Sequence, residues 1–199
     1  MDITQLILDD HHEQRRLFAM IEQIDPSDTR ELSAVWTRLS TFLEVHAAAE
    51  EEIFYPELLR LAVGPRPLAT AEPETLDAIS DHNEIRDTIA AVAGHLVGSP
   101  DWIAAVAAVN RANGDHMAEE EREGLTDVRR KISLQARHEL AVRFAAFEAA
   151  NVAGVRPVDQ NPQEYVLEAE QAAGPGGAGA ATAAGRPGAG SLGIGALKP

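Results

Sequence analysis

His46-Ala-Ala-Ala-Glu50 and, further along, His116-Met-Ala-Glu-Glu120 are the stretches from which the rest of this sequence is read. On an α-helix, residues i and i+4 lie on one face, so each segment aims an imidazole and a carboxylate at a common point. Each is a two-toothed metal claw. Aligned on their histidines, His46-AAA-Glu50-Glu51-Glu52 and His116-MAE-Glu120-Glu121-Arg122 are two copies of one device, and two claws facing each other across a bundle predict two ions.

Outward from both claws the apolar residues keep helical spacing. A first helix over residues 3–24 carries Ile3, Ile7, Phe18 and Ile21 and stops at the turn-forming Asp25-Pro26-Ser27-Asp28. A second runs through Leu32, Val35, Leu39, Phe42, Leu43, Ile53 and Phe54, with Ser27 or Asp28 as its cap and Gly64-Pro65 as its stop. Pro56 should kink it or end its regular part. The third starts near Pro73 and carries Leu76, Ile79, Ile85, Ile89, Val92 and Leu96 to Gly98. Ser99-Pro100-Asp101 then caps a fourth, through Trp102, Val106 and Val109 and past Glu120 to Lys131. A trailing fifth helix, residues 134–150, is amphipathic through Leu140, Val142, Phe144 and Phe147. Strand alternation is absent from the sequence. The pattern predicts an all-α, antiparallel up-down four-helix bundle with a trailing fifth helix, filling residues 1–150.

The first and third helices also repeat each other: Asp10-His11-His12-Glu13-Gln14-Arg15 matches Asp81-His82-Asn83-Glu84-Ile85-Arg86. The match selects His11 over His12 and puts one inward histidine on each helix. A lone histidine on an apolar helix face is more often a satisfied core residue than a ligand. Here four such histidines concur, two with Glu one turn on, so His11, His46, Glu50, His82, His116 and Glu120 are the candidate metal ligands. His12, His95 and His138 are assigned to structure or surface. Imidazole with carboxylate suits iron, manganese or zinc better than calcium or magnesium, and two bridging carboxylates suit a pair of ions. Ferritin-type bundles need Glu-x-x-His twice, and no histidine here has Glu three residues before it.

The formal charge of −15 over 199 residues argues against nucleic acid, which demands clustered Lys and Arg. Neither a long apolar run nor a basic leader supports a membrane span or secretory signal, and the absence of cysteine removes disulfides and thiolate ligands. A cytoplasmic setting is compatible with both. From residue 151 to 190 Gly, Ala and Pro dominate, predicting a disordered, flexible linker broken only by a short helix around residues 165–171.

Leu8-Asp-Asp-His11, His46-AAA-Glu50-Glu51-Glu52-Ile-Phe-Tyr-Pro56 and His116-MAE-Glu120 together resemble the hemerythrin-like, or HHE cation-binding, family over roughly residues 3–150. The resemblance implies two non-haem iron ions joined by an oxo or hydroxo bridge. His11 and His46 would sit on one, His82 and His116 on the other, with Glu50 and Glu120 bridging. The family's oxygen carriers have a further His where this chain has Arg86, so one iron should be ligand-poor and reactive, and Arg86 should pair with a carboxylate such as Glu119 or Glu121. The carriers also place the fourth helix's carboxylate five residues after its His, leaving Glu120 and Glu121 both open as the bridge. The ligands implied are dioxygen, hydrogen peroxide or nitric oxide. The role is protection against oxidative or nitrosative stress, by turnover, or alternatively by reversible binding or iron sensing.

Residues 191–199, Ser-Leu192-Gly193-Ile194-Gly195-Ala-Leu197-Lys-Pro, resemble the C-terminal targeting peptide of encapsulin cargo proteins. The glycines let an extended backbone lie close to a groove, and Leu192, Ile194 and Leu197 supply anchors. The partner implied is the inner wall of an encapsulin nanocompartment, reached on a tether of roughly 35 Å. The oligomeric state stays open, a homodimer of bundles included.

Overall fold

The computed structural model describes residues 1–62 and 67–173; the stop at Gly64-Pro65, the linker from residue 174 and the peptide 191–199 lie outside the described residues. The chain forms α1 (Ile3–Gln23), α2 (Thr29–Ala49), a π-helical turn (Glu50–Phe54), α3 (Tyr55–Ala62), α4 (Ala71–Val92), α5 (Pro100–Arg122), α6 (Gly124–Lys131), α7 (Leu134–Ala150) and α8 (Pro162–Ala173). Among the described residues there is no strand. Two hairpins, α1 with α2 and α4 with α5, pack into an all-α up-down four-helix bundle. The trailing α7 lies on α1 and α2, and α8 lies on α3 and α4.

Side-chain oxygens start the helices. Asp2, Ser99 and Ser133 accept from the amides of Thr4, Trp102 and Ala136, and Pro100 fills the first turn of α5. Gly98 closes the α4–α5 connection at φ +79°, where a Cβ would lie 2.1 Å from the Pro26 carbonyl oxygen. The apolar stripes form two separate cores. One gathers Ile3, Ile7, Ile53, Phe54, Ile79, Val128 and Phe144, the other Phe18, Leu39, Val92, Trp102 and Val109. α1 and α4 pass from one core to the other, α2 reaches the first at its end, and α6 continues α5 into it; between the cores runs a buried polar layer: His11 and Gln14, His46 and Glu50, His82, Asn113, His116 and Glu120.

Four features depart from the sequence reading. The regular part of the second helix does end ahead of Pro56, but already at Ala49, where the path opens into the π turn and the Tyr55 amide donates to the Glu50 carbonyl. Glu50, Glu51, Ile53, Phe54 and Tyr55 are all buried, more consecutive inward positions than a 3.6-residue turn can face to one side. The fourth helix breaks at Glu123, beside Gly124, a poor helix former, so α5 and α6 are distinct. Leu96 falls in the turn after α4 and is 83% exposed, and Val142 faces solvent.

The linker predicted from residue 151 is, up to Ala173, packed onto the bundle. The side-chain amide of Asn83 makes two bonds to the backbone of Gln160: its Nδ2 donates to the carbonyl at 2.7 Å and its Oδ1 accepts from the amide at 3.0 Å. Val166 of α8 is buried. Pro56 has no N–H to donate to the Glu51 carbonyl, as the π turn's next bond would require, and the Tyr165 hydroxyl of α8 donates there instead. Gly and Ala content over the whole stretch hid these local anchors.

Candidate metal centre

All six residues singled out by spacing converge in the polar layer, one histidine from each of α1, α2, α4 and α5. None is more than 6% exposed. Glu50 stands in the middle. Its Oε1 lies 2.9 Å from His46 Nε2 and 4.0 Å from His11 Nε2; its Oε2 lies 3.3 Å from His82 Nε2 and 3.8 Å from His116 Nε2. Two ligand sets result, His11-His46-Glu50 and Glu50-His82-His116, each with its donor atoms within 4.8 Å of one another. The two Nε2 atoms of His82 and His116 are 3.1 Å apart.

Glu120, one turn after His116, faces this centre. Its Oε2 lies 3.4 Å from His11 Nε2, while its Oε1 accepts from the Tyr55 hydroxyl at 2.9 Å. Glu121 points outward. It meets His11 Nδ1 at 3.0 Å and Arg15 at 2.8 Å. His12, His95 and His138 are exposed.

Every histidine that turns Nε2 inward has a carboxylate behind its Nδ1: Glu121 for His11, Asp10 at 3.3 Å for His46, Glu51 at 2.9 Å for His82 and Asp81 at 3.5 Å for His116. Such a partner favours the proton on Nδ1 and leaves the Nε2 lone pair for a cation. The backing role of these four carboxylates escaped the sequence reading, although each adjoins a candidate ligand in sequence, because each serves a histidine on a neighbouring helix. Arg86 pairs with Glu51 at 2.6 Å and with neither Glu119 nor Glu121. Arg86 looks from α4 toward the π turn, away from α5. The sequence repeat explains the arrangement, since Arg15–Glu121–His11 and Arg86–Glu51–His82 are the same chain of contacts in the two halves.

Electrostatics fit a cation. Burial should neutralise Glu50, yet its carboxyl is held well below the usual range by His46 and the other imidazoles around it. His46 is pushed well up despite burial, by Glu50 and Asp10, and His116 up to about 10, by Asp81 and Glu50. His11 is lowered to about 4 by burial, and Glu120 is raised to about 8 by burial and by the Glu50 charge. The layer thus demands positive charge. His11 Nε2, His46 Nε2, both Glu50 oxygens and Glu120 Oε2 are buried without a hydrogen-bond partner, all at the centre, as ligand atoms would be.

Helix α7 walls the centre with Phe144, whose ring lies 5.8 Å from that of His46. It also sets Glu148 beside Asp10, where burial and the Asp10 charge raise its carboxyl to about 7. No helix among the described residues is long and apolar enough to cross a membrane. A family profile described as Hemerythrin HHE cation binding domain matches residues 2–126, which takes in α1 to α5 with all six converging residues. No curated protein and no solved structure matches the chain.

Proposed function

The chain belongs to the hemerythrin HHE cation-binding family, and from that membership and the paired ligand sets we propose that it holds two non-haem iron ions and turns over small oxidants. Glu50 carries the reading: one carboxylate presents an oxygen to each histidine pair, the arrangement a shared ligand between two cations requires. In this reading His11 and His46 hold one ion and His82 and His116 the other, with Glu120 as the second carboxylate. Paired iron would supply redox and Lewis-acid chemistry toward hydrogen peroxide, dioxygen or nitric oxide. The chain's own part is positional. The carboxylates behind the imidazoles fix their tautomers, Tyr55 orients Glu120, and the two apolar cores exclude bulk water. Arg86, tied to Glu51, contributes no ligand where the oxygen carriers have a histidine, which leaves room for a small molecule beside His82 and His116.

The setting proposed is the lumen of an encapsulin nanocompartment, with residues 191–199 as the address and stress protection as the role. Two experiments test these readings. Metal analysis of the purified chain should find about two irons, falling in His116→Ala and nearly vanishing in Glu50→Ala. Added peroxide should release oxygen catalytically with the wild type only; stable binding of oxygen or nitric oxide without turnover would make the protein a carrier. For the address, co-expression with a shell protein should package the full chain and leave a chain lacking residues 191–199 outside. Equal packaging of both defeats it.

A further inference from the structure

A narrow cleft of about 30 Å³ leads from the surface between α4 and α5, past Tyr55 and Leu58 of α3, to the polar layer. α4 lines it with Glu74, Asp77 and Asp81, α5 with Glu119 and Glu120, and the break after α5 with Glu123; no Lys or Arg takes part. The spacing puts Glu74, Asp77 and Asp81 on one face of α4. Its inner end is made by two buried groups, His116 and Glu120, and the Glu120 carboxylate there has one oxygen, Oε2, without a hydrogen-bond partner. Glu74 Oε2 is likewise buried and unpaired.

The repeat supplies an internal control. Aligning the halves on their histidines sets Glu74 against Ile3, Asp77 against Leu6, Glu119 against Ala49 and Glu123 against Ile53. Ile3, Ala49 and Ile53 belong to the apolar core that α7 closes with Leu140, Ala141 and Phe144. One half is therefore sealed and apolar where the other is open and acidic. Core packing needs no such carboxylates, and crowded like charges cost stability unless something positive offsets them.

We propose that this cleft is the entry route for divalent cations, with Glu74, Asp77 and Glu123 as the outer relay that draws in a hydrated ion and passes it to Glu120 and His116. The inference rests on the metal-centre reading. An acid-lined cleft with low-dielectric walls concentrates cations and raises their association rate by ten- to a thousandfold. Oxygen donors hold such ions loosely, and imidazoles then take an ion of the iron, manganese or zinc type more tightly.

The test is uptake of anaerobic Fe(II) by the metal-free full-length chain, followed by competition with a chromogenic chelator. Glu74→Gln/Asp77→Asn/Glu123→Gln should load about tenfold more slowly at low salt, reach the wild-type iron content, and lose most of the wild type's salt sensitivity. Glu22→Gln/Glu31→Gln/Asp101→Asn removes as much charge at the other end of the bundle and should load at the wild-type rate. An unchanged rate in the first variant, an equal slowing in the second, or a lowered final iron content in the first overturns the route. A wild-type chain that takes up no iron fails differently, because the metal-centre reading falls first.

Discussion

Glu51 holds two partners at once, His82 Nδ1 at 2.9 Å and Arg86 at 2.6 Å, and all three side chains are buried. Its counterpart Glu121 holds His11 and Arg15, but there the carboxylate is 29% and the arginine 40% exposed. Burial decides how much each matters. Removing one partner of a buried ion pair strands a charge in low dielectric and costs about 3–5 kcal/mol, whereas exposed pairs contribute about 0–1 kcal/mol. Urea denaturation of the metal-free chain should therefore show a large loss for Glu51→Ala and a small one for Glu121→Ala, and Arg86→Leu should restore part of the first. Equal losses would mean that solvent reaches Arg86. Both substitutions should still weaken cation binding by about ten- to a hundredfold, since each removes the group that orients an imidazole. The six inward residues were legible because helical spacing and the repeat alone put them on core faces. Which carboxylate backs which histidine was not, because that depends on how helices pack, and Arg86 was misassigned although the repeat had already aligned it with Arg15.

The second bundle helix survives Pro56 by widening its turn, and α8 then supplies the hydrogen bond that proline cannot. That dependence makes α8 part of the bundle's edge. Asn83→Ala removes both bonds to Gln160, so limited proteolysis should cut sooner between residues 151 and 161 while the circular dichroism of the bundle holds. Tyr165→Phe should act in the same direction more weakly, by about 1 kcal/mol. Unchanged cleavage would show that Val166 burial alone holds the segment. The four bundle helices and α7 could be read from apolar periodicity, and the sequence predicts a short helix near α8, but the break at Glu123 and the docking of α8 could not be read. Periodicity passes through a single-residue break, and a composition average dilutes Gln160 and Tyr165 among glycines and alanines. Gly98 tests the other kind of local demand. Alanine there meets both a left-handed backbone, worth about 1–2 kcal/mol, and the Pro26 carbonyl oxygen at 2.1 Å. Gly98→Ala should lower stability by more than about 2 kcal/mol, and a variant as stable as wild type would refute the close approach.

At the scale of the molecule, two similar hairpins meet across a layer of charge-bearing side chains with an apolar core on either side, and that layer is the weakest part of the packing unless positive charge fills it. Protons on His46 and His116 fill it in part. Metal ions would fill it better, because each ties together side chains from separate helices. Stability should therefore rise with free cation by RT ln(1 + [L]/Kd) per site, about 2.7 kcal/mol at a hundredfold excess over Kd. For a domain of this size 1 kcal/mol moves Tm by about 2–4 °C, so chelator-stripped chain should melt about 5–10 °C lower for each site emptied. Fe(II), Mn(II) or Zn(II) should restore Tm and Mg(II) should not, since imidazole donors discriminate against hard cations. Glu50→Gln should abolish the response, because the amide cannot offer an anionic oxygen to both histidine pairs. The same substitution removes a buried charge, so this variant's metal-free Tm separates lost binding from lost folding. A wild-type Tm indifferent to chelator and to every added cation would leave four inward histidines and two inward carboxylates with no physical account.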